Sequence, residues 1–138
     1  MAPSQRTLDD TARLLLRIMV GGMMLLHGIG KLRHGIDGIE GMISSKWGLP
    51  SWFAYGVYVG EVVAPLFVLA GFRARAAAAV LGFNMIVAVL LAHTGDIVAL
   101  SRGGGWKIEL QMFYLLGSVA IMCLGAGRYA ASRKHWLD

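Results

Sequence analysis

An all-α membrane protein, crossing a bilayer about four times as a helical bundle, is the fold class this sequence predicts. Three observations carry that expectation. Hydrophobic residues make up 57% of the chain and charged residues 15%, whereas a soluble domain carries roughly a quarter charged residues. The surplus apolar surface has no place in water, and a bilayer accepts it. The apolar residues also fall into four blocks, each near the roughly 20 residues needed to cross about 30 Å of hydrocarbon. Finally, the net charge of +5 gathers at the ends of those blocks and not on one amphipathic face. That pattern suits lipid headgroups and membrane topology, and it argues against a nucleic-acid partner.

The 138 residues are read as one membrane domain over 1–138, with spans at roughly 12–30, 52–72, 74–93 and 107–127. The first block holds Arg17 and His27. The segment before it, MAPSQRTLDDTAR, carries acids, so this block reads as a retained helix and not as a cleaved leader. The third block is the cleanest, with Asn84 its one polar residue. A tight turn around Gly71, Phe72, Arg73 and Arg75 joins the second block to the third. The first connection is longer. In it Ile36, Ile39, Ile43 and Trp47 recur at helical spacing before Gly48 and Pro50, which reads either as a short interfacial helix or as an ordered loop. The third connection carries a glycine run that breaks helix.

Four spans put both termini on one side. That side holds Arg6, Arg13, Arg73, Arg75, Arg128, Arg133 and Lys134, against Lys31, Arg33, Lys46, Arg102 and Lys107 on the other. The excess favours cytoplasmic termini. Trp47, Trp52 and Trp106 would then belong to an outer aromatic belt. LLHGIGK closing the first span and LLAHTGD closing the third are alike enough to raise two related hairpins, with His27 and His93 at similar depth.

Ionisable residues inside a bilayer cost about 2.5–3.5 kcal/mol each at a helix centre and so demand partners. Glu61, near the middle of the second span, is the leading candidate. Tyr58 shares its face, and Pro65 removes the donor that would bond the Glu61 carbonyl. A proton carrier or hydroxyl acceptor is one reading of Glu61. A structural ion pair, with Arg17 as the natural partner, is the other. Arg17, His27 and Lys31 fall along one side of the first helix, within about 80° of one another. Interfacial anchoring is the alternative for Lys31, and a satisfied interfacial histidine the alternative for His27. Glu109, just after Trp106, either opens the fourth helix as a dipole-favoured carboxylate or faces His27, Lys31 and His93. Asn84 lies about 180° from His93 on an ideal helix and should not share its site. Gly56, Gly60 and Ala64 form a small-residue stripe for close packing, within the bundle or between protomers. His27 with His93 meets the minimum for bis-histidine haem, and Met23 one turn before His27 raises copper. No metal ligand set is assigned.

Several of these pieces together resemble the DoxX family. They are the Arg of LLLRIMVGG, then HGIGKL, then GLP, then GEVVAPLFVLAGFRARAAA, then GGGWKIELQ, and finally GAGRYAAS, in order along nearly the whole chain. Ala131 and Ser132 depart slightly from the family's usual finish after GRY. The resemblance implies a four-helix protein of the bacterial cytoplasmic membrane. It further implies a component of a redox system that interacts with quinone or with a partner oxidoreductase. Related four-helix proteins oxidise thiols through paired cysteines. With Cys123 alone, this chain lacks that equipment, so any electron transfer needs a quinone, a metal or a partner. At most the chain is a membrane subunit of a quinone-linked oxidoreductase. The competing expectations are a non-catalytic assembly subunit and a small transporter or lipid-binding protein.

Overall fold

The computed structural model describes residues 4–132 and 136–138. Arg133 and Lys134, counted above towards the terminal-side charge, lie outside the described residues. The chain is all-helical, with no strand among the described residues. Five helices follow one another: α1 (Gln5–His34), α2 (Asp37–Trp47), α3 (Ser51–Ala70), α4 (Ala74–Ala92) and α5 (Glu109–Leu124). Three of them, α1, α3 and α4, are long and apolar enough to cross a membrane. The fourth apolar helix, α5, has 16 residues, about 24 Å at 1.5 Å per residue.

The ends of the runs differ from the hydropathy bounds for local reasons. The first helix starts at Gln5 and not near residue 12, because Ser4 caps it: its hydroxyl accepts the Thr7 N–H at 3.3 Å, satisfying an otherwise orphan donor. Hydropathy misses these turns because they are amphipathic. The last helix starts at Glu109 and stops before Gly125, whose φ of +74° ends it. Trp106 and Lys107 therefore stay in the connection. The first connection is helical as α2, and it stops at Gly48 in the left-handed region (φ +63°), where glycine is the favoured residue. Its Ile36 and Ile43 are buried with Ala54 and Leu91, so one face of α2 is docked on the bundle.

The bundle has a narrow core of small residues and an apolar exterior. Ala64, Val68, Ala74, Ala77, Ala78, Leu81 and Ile121 are buried, while Leu26, Phe83, Phe113 and Leu116 are at least 60% exposed. An exterior of this kind belongs in hydrocarbon. Close approach depends on a few glycines. A side chain at Gly28 would collide with the Glu61 backbone, and one at Gly60 with Asn84. The small-residue stripe is thus used inside the chain at Gly60, whereas Gly56 meets nothing and faces a groove.

Both long polar-bearing helices contain a π-helical turn, Ile18–Gly22 in α1 and Val59–Val63 in α3. Pro65 follows the second. The donor that proline cannot supply is accommodated by this wider turn, and the Glu61 carbonyl is the one packed on Gly28. Such turns are frequent where a helix carries function.

Arg17 does not meet Glu61. It is buried at 1% exposure at the end of the bundle where the two described chain ends meet. Its Nε donates to the Val68 carbonyl (2.8 Å), Nη2 to Leu69 (2.5 Å), and Nη1 to Ala126 (2.9 Å) and Tyr129 (2.8 Å). These carbonyls end α3 and follow α5. Those of Val68 and Leu69 lie at the negative end of the α3 dipole, and all four need donors. The expected ion pair fails because helix ends, not a carboxylate, surround the guanidinium.

A polar cavity around a buried ion pair

Glu61 is 4% exposed, and its partner is Lys31. The ammonium of Lys31 donates to Glu61 Oε2, and the Asn84 amide donates to Oε1 at 3.4 Å. Three helices build this centre: α1 supplies Lys31, the π turn of α3 turns Glu61 inward, and α4 supplies Asn84. The Tyr58 hydroxyl donates to the Lys31 carbonyl at 3.3 Å, fixing α3 against the end of α1.

The ion pair forms the floor of a cavity of about 170 Å³ at the end of the bundle away from the chain ends. His27, Lys31, Glu61, His93, Gln111 and Tyr114 are its polar lining, with Met24 and Met85 among the apolar part. His27 stacks edge-on against Tyr114, ring centres 5.8 Å apart. His93 is held at both nitrogens: Nδ1 lies 3.3 Å from Asp96 Oδ2, and Nε2 lies 3.1 Å from the Gln111 amide nitrogen. The other amide atom, Gln111 Oε1, is buried with no partner. An unmet buried acceptor costs about 1–3 kcal/mol.

Of the residues singled out in the sequence, the structure brings together Glu61, Lys31, His27 and His93. Tyr58 supports Lys31 from behind. Arg17 sits at the opposite end. Glu109 does not face the histidines: it is exposed, and a side chain at Gly105 would lie 2.8 Å from its Oε2. Gln111, two residues on and so on another face of α5, takes the position proposed for it. Trp106 also lies outside the cavity, its indole N–H donating to the Ile97 carbonyl at 2.7 Å. Gln111 and Tyr114 escape a reading that follows charge alone, and Asp96 escapes one confined to the apolar spans. The signal for the first two is their spacing of three on one helix face. Asn84 does stand apart from the His93 cavity, and reaches Glu61 from the other side.

The bis-histidine haem arrangement does not fit, since both His93 nitrogens are engaged within the protein and the cavity is small. Met23 is 56% exposed, on the outer face of α1, so the Met23–His27 copper pair is not assembled. No group of three potential metal-binding side chains occurs among the described residues.

Behind the ion pair lies a second cavity of about 110 Å³, which shares Lys31, Glu61 and Ala88 with the first. It shares Ile43, Phe53, Asn84 and Val87 with an apolar groove of about 430 Å³ between α2, α3 and α4. The ion pair is therefore a partition between a polar chamber and a groove on the apolar exterior.

Asp96, in the connection outside the apolar helices, is held below its ordinary value of 3.8 by the Lys107 hydrogen bond and by His93. Its carboxylate accepts from Lys107 Nζ at 2.9 Å. A depressed carboxylate stabilises the fold above its unfolded pKa, and that contribution is lost as pH falls through the folded value. Hydrogen-exchange protection over residues 96–107, taken relative to the intrinsic rate at each pH, is expected to hold above the ordinary value of 3.8 and to fall as pH drops below it. Asp96→Asn should show low protection at every pH. An unchanged profile in that variant would refute the assignment.

Fold and site define a helical membrane protein with a polar centre inside an apolar bundle. The DoxX family model matches residues 12–94, more than half the chain, and this chain belongs to the DoxX family. The match covers α3, most of α1 and all of α4. No curated protein and no solved structure matches the chain.

Proposed function

We propose that this DoxX-family chain is a single-domain, four-span protein of the bacterial cytoplasmic membrane, with cytoplasmic termini, whose polar cavity binds the head of a quinone. The observation that carries this is the lining: a buried carboxylate, an ammonium, two imidazoles, a phenol and an amide oxygen without a partner converge on one small space. Quinone heads need donors for their carbonyls, acceptors for their hydroxyls and an exchange of protons on reduction, and these groups supply all three. The volume of about 170 Å³ is below the roughly 300 Å³ of ordinary small-molecule sites. It suits a ring-sized head with its tail outside.

Support for a fourth crossing comes from α5. Gln111 near its start bonds His93 at the cavity end, and Ala126 beyond its finish bonds Arg17 at the opposite end. Thus α5 runs the same length of bundle as its neighbours. His27 and His93 lining one cavity fits the two-hairpin reading.

A bound quinone supplies the two-electron chemistry. The chain's residues orient it and handle protons: Lys31 and His27 face it as donors, Gln111 Oε1 as an acceptor, and Glu61 as the buried proton-holding group. Cys123 is the sole cysteine, so the chain has no dithiol of its own and the reductant comes from a partner protein.

Lipid extracts of protein purified in mild detergent, analysed by mass spectrometry, test this. About one quinone per chain is expected, falling at least tenfold in Gln111→Leu and His27→Ala with folding retained. Quinone at the level of bulk membrane lipid, unaltered by either variant, would transfer the case to an assembly subunit.

A further inference from the structure

A second polar cavity, of about 440 Å³, lies at the opposite end of the bundle. It is lined by Asp10 and Arg13 of α1, Arg75 in the first turn of α4, residues 124–128 after α5, and Ser132 and Asp138. Three arginines meet two carboxylates there, and both carboxylates already have donors. Asp10 Oδ1 accepts the Arg128 N–H at 3.0 Å. Asp138 accepts the Arg73 N–H at 3.0 Å through Oδ1 and the Ser132 hydroxyl at 2.8 Å through Oδ2. Arg13 spends Nη1 on the Leu124 carbonyl at 2.6 Å.

Arg75 differs. Its Nε is shielded from solvent and has no hydrogen-bond partner. A guanidinium is charged at every accessible pH, so this donor cannot be relieved by losing its proton and calls for an acceptor. The local backbone leaves room for one. Gly125 and Gly127 both have positive φ (+74° and +75°). A Cβ at Gly125 would stand 3.0 Å from the Asp138 main-chain oxygen and 3.2 Å from both Nε and Nη2 of Arg75, and one at Gly127 would stand 3.0 Å from Arg13 Cδ. Glycine at these two positions keeps a side chain off the Nε–Nη2 edge, which can pair bidentately with phosphate oxygens.

We propose that Arg75, with Arg13 and Arg128 around it, binds a phosphate-bearing anion where α1, α4 and α5 end. Since these helices end at the bilayer surface, an anionic lipid headgroup and a free phosphate share the required chemistry. The site is separate from the Lys31–Glu61 cavity and does not depend on what that cavity holds.

The test is ligand-dependent thermal stability of the full chain. Wild type is measured in neutral detergent with and without inorganic phosphate, and in nanodiscs of phosphatidylcholine with and without phosphatidylglycerol. Stabilisation by phosphatidylglycerol alone identifies a headgroup site, and stabilisation by phosphate as well identifies a free-anion site. In either case Arg75→Gln should weaken the anion's apparent affinity about tenfold or more, with Arg128→Gln as a milder second variant. A merely structural arginine would lower the melting temperature equally with and without anion. No stabilisation by either anion, or stabilisation undiminished in Arg75→Gln, overturns the proposal.

Discussion

Arg17→Met is expected to cost about 3–5 kcal/mol of stability, the order set by buried carbonyls left without a donor. The size of the effect follows from what is left behind. Four carbonyls lose a donor at once, from Val68, Leu69, Ala126 and Tyr129. Two of these bonds are fully buried, and each unmet buried acceptor costs about 1–3 kcal/mol. The negative end of α3 would also lose its cation. Arg17→Lys should recover no more than about half of the loss. An ammonium has three donors and no planar fork, and cannot reach four carbonyls spread over two helix ends. Thermal unfolding in detergent, followed by circular dichroism, measures both. A methionine variant within about 1 kcal/mol of wild type would refute the account. Gly71 belongs to the same assembly, since a Cβ there would lie 2.6 Å from Arg17 Nη2.

Much of this protein is legible in its sequence because a bilayer demands long apolar runs. The runs themselves place α3 and α4 within about two residues and show that Glu61 is buried. Pairing is less legible, and Arg17 shows why. A buried arginine in a list of charges invites the nearest carboxylate. Here its ligands are backbone carbonyls, which every residue has and no composition reveals. Hydropathy puts Lys31 at a span's end, where an interfacial anchor is the simple reading. It reaches Glu61 because Gly28, three residues before it, lets α1 touch the α3 backbone. Glu109 and Gln111 differ by two positions, which on a helix means different faces. The charged residue faces outward, and the neutral one lines the cavity.

The asymmetry of the Lys31–Glu61 pair sets the other large effect. The Lys31 side chain is 30% exposed, and that of Glu61 is 5% exposed. A lysine freed of its partner can extend its flexible stem towards the surface, whereas a glutamate on the π turn of α3 cannot follow. Lys31→Met should therefore cost more than Glu61→Gln. It leaves the carboxylate with the Asn84 amide at 3.4 Å as its remaining hydrogen bond. A loss of roughly 2–4 kcal/mol is expected for Lys31→Met, at the lower end of the values for breaking buried pairs because one partner is partly solvated. About 1 kcal/mol is expected for Glu61→Gln, whose amide keeps the shape and can still face Lys31. The double variant is expected to be more stable than Lys31→Met alone, because removing the second charge removes the unpaired one. This double-mutant cycle, read from thermal unfolding, should give a coupling above about 1 kcal/mol. Strict additivity would mean that the pair contributes no mutual stabilisation. The same cycle carries a functional reading, because the pair divides the polar cavity from the apolar groove behind it. If the partition matters, the double variant should recover stability while quinone retention stays low, separating the role of the charges in the fold from their role at the site.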